Sequence, residues 1–139
     1  MIQEYIDAWN ERKDIFEHWL RHCVNANRMS YEDIVRGIVT EVINPTVEDT
    51  YSNVLDIGKM RVIDDGDWQG TTIYIIPKDT YQPNIDEYVI THNYYSSCSG
   101  CDTLLACQGW SDEEVSDETI KGIMTIALHF IENMKLLGE

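Results

Sequence analysis

The sequence predicts an α+β domain, and three observations lead there. Apolar residues recur at helical spacing through residues 2–43, at a period of two from Val54 to Tyr95, and at helical spacing again near the C-terminus. Turn signals rich in Asp, Gly and Pro separate the strand-like runs, which favours antiparallel hairpins over long crossovers. At 139 residues and 43% hydrophobic composition the chain is read as a single domain, 1–139, with enough apolar surface for one core. The expected order is two N-terminal helices, an antiparallel sheet of three or four strands, a cysteine loop after the last strand, and a C-terminal helix.

Residues 2–24 form the first predicted helix, with Ile2, Ile6, Trp9, Phe16, Leu20 and Cys23 along one face and Lys13 at its gap. Cys23 is therefore expected to be buried. His18 and His22 are neighbours four apart on the polar side, read as solvated rather than metal-binding. Ser30 and Asp33 resemble a capping box opening a second helix, which buries Ile34, Val35, Ile38, Val39, Val42 and Ile43, exposes Arg36 and Glu41, and stops at Asn44-Pro45. The two helices should pack antiparallel.

The strand-like runs are Lys59 to Ile63, Gly70 to Ile76 and Glu87 to Tyr95, rich in β-branched residues. Asp64-Asp65-Gly66-Asp67 lies between the first two and reads as a hairpin turn; it lacks the ligand alternation and terminal Glu of a Ca²⁺ loop. Asp102 should cap a short helix from Thr103 to Cys107, ended by Gln108-Gly109. Ser111-Asp112-Glu113-Glu114 should open the last helix, whose buried stripe is Ile120, Ile123, Met124, Ala127, Phe130, Ile131, Met134 and Leu137.

Twenty-five acids against ten bases give a net charge of −15. The imbalance is concentrated after residue 40, where the net is −13. Such a field disfavours nucleic acid and anionic membranes and favours a basic partner. Asp112, Glu113, Glu114, Asp117 and Glu118 form the first candidate partner-binding patch, and Asp64, Asp65 and Asp67 the second. Some of the first group would also serve the dipole of the last helix. No apolar run is long enough for a membrane span and the N-terminus lacks the pattern of a secretion signal, so a soluble cytoplasmic protein is expected.

The least generic stretch is Tyr94-Tyr95-Ser96-Ser97-Cys98-Ser99-Gly100-Cys101-Asp102. Two cysteines on a tight turn can supply two thiolates to a tetrahedral Zn²⁺, and intracellular cysteines favour metal binding or free thiols over disulfides. A redox couple is a third reading, disfavoured because reactive pairs usually start a helix in a parallel α/β fold. The further ligands are left open among Cys107, His92, Asp67 and Asp102. Phosphate-binding glycine loops, nucleophile elbows and HExxH are absent, and so is a basic-aromatic nucleic-acid footprint. A Cys–His nucleophile formed by Cys98 or Cys101 with His92 needs a proximity that sequence does not supply. Binding is thus the preferred class over catalysis.

Asp67-Trp68-Gln69-Gly70 followed by Tyr94 to Leu104 resembles a pattern of small bacteriophage proteins, a D-[YW]-Q-G stretch and then Y-G-S-C-S-G-C-D. Ser96 stands where that family usually has Gly, and the match covers about residues 60–108. With its acidic field the chain resembles zinc-containing anti-CRISPR proteins that inhibit type II Cas9. The resemblance implies a structural zinc, a Cas9 effector as partner without direct nucleic-acid contact, and residence in the cytoplasm of a bacterial host. The alternatives are a phage zinc- or thiol-dependent enzyme and a structural phage accessory protein.

Overall fold

A computed structural model describes residues 2–48, 53–97 and 102–138. Helix α1 runs Gln3–His22, α2 Tyr31–Ile38, α3 Thr103–Cys107 and α4 Asp117–Asn133. Strands β1 (Arg61–Asp64), β2 (Gln69–Pro77), β3 (Tyr88–Ser96) and β4 (Lys135–Leu136) form one antiparallel sheet in the order β1-β2-β3-β4. The fold is α+β, with the two N-terminal helices and the C-terminal helix where the hydrophobic periods put them. The fourth strand is a two-residue addition, Val89 facing Leu136 across β3 and β4. Among the described residues no helix is long and apolar enough to cross a membrane.

Side-chain alternation gives the sheet two unlike faces. Tyr74, Ile76, Val89 and Thr91 share one face by register and are buried. On that side Phe130 of α4 meets Tyr74 edge-on at 5.7 Å, and Thr91 Oγ1 donates to the Phe130 carbonyl at 2.9 Å. The helices therefore lie on this face, and Phe16, Leu20, Ile34, Ile38, Ile43, Ile120, Ile123 and Ile131 fill the layer between. Contacts along α1 and α2 run antiparallel. A Cβ at Gly37 would stand 2.5 Å from the Trp19 ring, and Arg12 Nε donates to the Glu41 carbonyl at 2.7 Å. Gly37 is thus required by close approach of the two helices.

Several expectations need correction. Cys23 is exposed: it caps α1, its N–H still bonded to the Trp19 carbonyl at 3.0 Å, and the buried positions that follow are Ala26 and Met29 of the next turn. The capping box is present, Ser30 Oγ accepting from Asp33 N and Asp33 accepting from Ser30 N. Beyond Ile38 the helix widens to a π turn over Val39–Ile43 and then tightens to a 3₁₀ turn at Asn44–Thr46, so Pro45 is carried within a helical turn. Arg36 and Glu41 are half-buried, Arg36 reaching Glu32 and the Ile57 carbonyl.

The turn between β1 and β2 is wider than a two-residue hairpin. No described residue has a positive φ, which the tight mirror-image turns require. Side chains hold it instead. Asp64 accepts from Gly66 N at 3.0 Å, Asp65 accepts from Thr71 N at 2.7 Å, and Tyr95 donates to Asp64 and to the Gly66 carbonyl. A Cβ at Gly66 would lie 2.1 Å from the Gln69 carbonyl oxygen.

The last helix begins six residues later than Ser111. Ser116 is its cap, accepting from Thr119 N at 3.2 Å, and only Asp117 and Glu118 fall in its first turn. The delay has a physical cause. Residues 108–113 are clamped to the turn after α1 by Gln108 Nε2 on the Ala26 and Met29 carbonyls, Gly109 N on Asn27 Oδ1, and Asn25 Nδ2 on the Ser111 carbonyl. At the other end α4 stops at Asn133; Met134 stays buried, whereas Leu137 lies exposed beyond β4.

Candidate functional site at the cysteine loop

Cys98, Ser99, Gly100 and Cys101 lie outside the described residues. Their flanks are well defined. β3 ends at Ser96, and its backbone N–H donates to Asp102 Oδ2 at 2.9 Å, so the chain leaves and re-enters the fold at one point. Asp102 is only 4% exposed. Its other oxygen, Oδ1, accepts from Leu105 N at 3.0 Å as the cap of α3 and from the Tyr31 hydroxyl at 2.9 Å. The Tyr31 oxygen in turn accepts from Leu104 N at 3.1 Å. Burial, followed by the neighbouring carboxylate of Asp102, pushes the Tyr31 phenol up to about 12 against the lowering donation from Leu104 N. One buried carboxylate therefore ties the start of α2, the end of β3 and the start of α3 together.

The proposed further ligands fall in different places. Asp102 is engaged on both oxygens as the latch just described. Cys107 donates its thiol to the Leu104 carbonyl at 3.2 Å and packs on α4, where a Cβ at Gly122 would lie 2.7 Å from its sulfur. Desolvation raises the Cys107 thiol pKa, the behaviour of a packed thiol rather than a nucleophile. His92 is half-buried on β3, its ring edge-on to Tyr94 at 5.5 Å, and lines a cavity of about 290 Å³ with His129, Asn133, Thr103 and Tyr31. Asp67 is exposed in the β1–β2 turn. Among the described residues no three His, Cys, Asp or Glu side chains converge on a point that would hold a metal.

The acidic residues divide by what they already do. Asp117 pairs with Arg21 at 2.8 Å, and that bond holds its carboxyl below the usual range; Arg21 also reaches Glu17 at 3.1 Å. Glu118 sits in the first turn of α4. Asp64 and Asp65 are bound into the β1–β2 turn, and the Tyr95 hydroxyl lowers the Asp64 pKa. Asp112, Glu113 and Glu114 are exposed on the connection before α4, with no hydrogen-bonded or ion-paired carboxylate among the described residues. Trp110 beside them is 76% exposed.

Sequence reading missed the Tyr31–Asp102 pair and the His92–His129 cavity. Tyr31 could have been flagged only as a tyrosine at a helix start, since 71 residues separate it from Asp102. Comparison with protein-family models, with curated proteins and with solved structures gives no match.

Proposed function

We propose that this chain is an inhibitory binding protein, an anti-CRISPR of the type II class that occupies a basic surface of Cas9 and carries a structural zinc at Cys98 and Cys101. The observation that supports it most is the exposed acidic connection at residues 110–115. Acids in a helix's first turn have a structural reason to be there. Asp112, Glu113 and Glu114 stand outside any helix, have no partner for their carboxylates among the described residues, and lie beside an exposed tryptophan. Effectors of this kind hold guide and target in positively charged channels, which an acidic surface complements. The protein acts by binding, in the cytoplasm of the bacterial host, and leaves nucleic acid untouched.

The test mixes the protein with Cas9, guide RNA and target DNA and follows complex formation, DNA binding and cleavage. Inhibition is expected to weaken as ionic strength rises and to fall about tenfold or more when Asp112, Glu113 and Glu114 are all changed to Lys. Absence of any association with Cas9 proteins from several sources would overturn the reading. Metal analysis checks the zinc separately. About one Zn²⁺ per chain is expected, lost on Cys98→Ser or Cys101→Ser with a lower melting temperature. Protein that is metal-free when prepared without chelators would remove that half of the proposal.

A further inference from the structure

The face of the sheet turned away from the helices has a composition unlike the rest of the chain. Register places Arg61, Ile75, Ile90 and Lys135 in one row across all four strands, aliphatic in the middle and cationic at both ends. Ile63, Ile73 and His92 form the next row, and Tyr94 lies beyond them with its ring edge-on to His92. None of the strand positions on this face is Asp or Glu, in a chain with 25 acids. Ile63 is 49% and Tyr94 73% exposed, although β-strand isoleucines normally find cover.

One end of this face deepens into a cavity of about 390 Å³, whose lining includes Lys59, Arg61, Lys78, Ile75, Tyr81 and Tyr88. Tyr81 is 95% exposed at its rim. Lys59 reaches Asp56 at 3.7 Å, while the Arg61, Lys78 and Lys135 side chains have no hydrogen-bond or ion-pair partner among the described residues. A protein of net −15 has gathered cations, three of them without a partner among the described residues, around exposed aliphatic and aromatic side chains.

We infer that this outer sheet face docks an acidic amphipathic segment of a partner protein, apolar side chains on Ile63, Ile73, Ile75 and Ile90 and carboxylates on Arg61, Lys135 and the Lys59–Lys78 end. Charge complementarity selects the occupant. A second copy presenting the same face would set cation against cation with no acid between them. Single-stranded nucleic acid stacks its bases on flat rings, whereas the rings of this face, Tyr88, His92 and Tyr94, are confined to β3 and its remaining centre is Ile63, Ile73, Ile75 and Ile90. The dense phosphate charge would also meet the repulsion of the whole chain.

The probe is a fluorescein-labelled peptide of about 15 residues with Leu and Glu at helical spacing, against the same peptide with Lys for Glu and an oligo-dT of equal length. Anisotropy is expected to show salt-sensitive binding of the acidic peptide alone. Amide shift changes on the unaltered protein should centre on β1 and the outer positions of β2 and β3. Binding should weaken about tenfold or more in the Arg61→Glu/Lys135→Glu variant and persist in the variant with Asp112, Glu113 and Glu114 changed to Lys. Failure of the acidic peptide to bind, shifts centred on the helical side, or tighter binding of oligo-dT would each overturn the inference. Because the shift mapping needs no substitution, a variant that does not fold leaves the test intact.

Discussion

Replacing Asp102 by Ala should destabilise the protein by about 3–4 kcal/mol, because three donors lose one acceptor at once. Removing a helix cap costs about 1 kcal/mol, and here the lost bond is Leu105 N to Oδ1. The Ser96 amide and the Tyr31 hydroxyl each lose a bond to a carboxylate in a half-buried setting, roughly 1–1.5 kcal/mol apiece once water is admitted. For a chain of this size that corresponds to a fall in melting temperature of about 10–15 °C. Asp102→Asn keeps the cap and one acceptor and should lose only about 1–2 kcal/mol. Tyr31→Phe should cost about 1–2 kcal/mol, and a double-mutant cycle with Asp102→Ala should give a coupling of at least about 1 kcal/mol. Urea titration followed by far-UV circular dichroism measures all four states. Hydrogen exchange at the Ser96 amide reports whether the base of the cysteine loop has opened. An Ala variant within about 1 kcal/mol of the parent would mean that water replaces the carboxylate, and the latch would not be structural.

Gly37→Ala should cost about 1–3 kcal/mol, read by thermal melting, since its methyl would overlap the Trp19 ring unless α1 and α2 separate. Absorbance titration at alkaline pH should find Tyr5, Tyr31 and Tyr95 ionising only near pH 12, burial being the main cause for the first two and the Asp64 bond for Tyr95. Their folded values are raised above the ordinary 10, so the stability they contribute is full below pH 10 and is lost as pH rises through 12. Asp64 has the opposite sense. Its depressed value means a contribution present above its ordinary 3.8 and lost as pH falls through the folded value, so Asp64→Asn should flatten the acid limb of the stability curve.

The helices, the strands and most of their ends follow from local chemistry that the sequence displays. Apolar spacing marks α1, α2 and α4; Ser30 and Asp33 announce a cap; and Asp102 caps α3 as its position before Thr103 suggests. Boundaries failed where a distant segment outweighed the local signal. Ser111-Asp112-Glu113-Glu114 has the composition of a helix start, yet the clamps from Asn25, Asn27 and Gln108 keep it to a single turn, closed by Glu113 N on the Trp110 carbonyl, and the helix waits until Ser116. Cys23 fits the apolar spacing of α1 yet is exposed at its C-cap, where burial passes to Ala26 and Met29.

The charge of the chain was legible at once, but its availability was not. Counting cannot tell that Asp117 is engaged by Arg21 and Asp64 by Tyr95 while the carboxylates of Asp112, Glu113 and Glu114 have no partner among the described residues. Nor can period-two alternation tell which face of a strand finds helices. Ile75 and Ile76 are adjacent and equally apolar, but only Ile76 is fully buried, because Phe130 and its neighbours pack on one side of the sheet. Periodicity is a property of a segment, and burial is a property of what that segment meets; the second is decided by contacts between residues far apart in the chain, such as Tyr31 with Asp102.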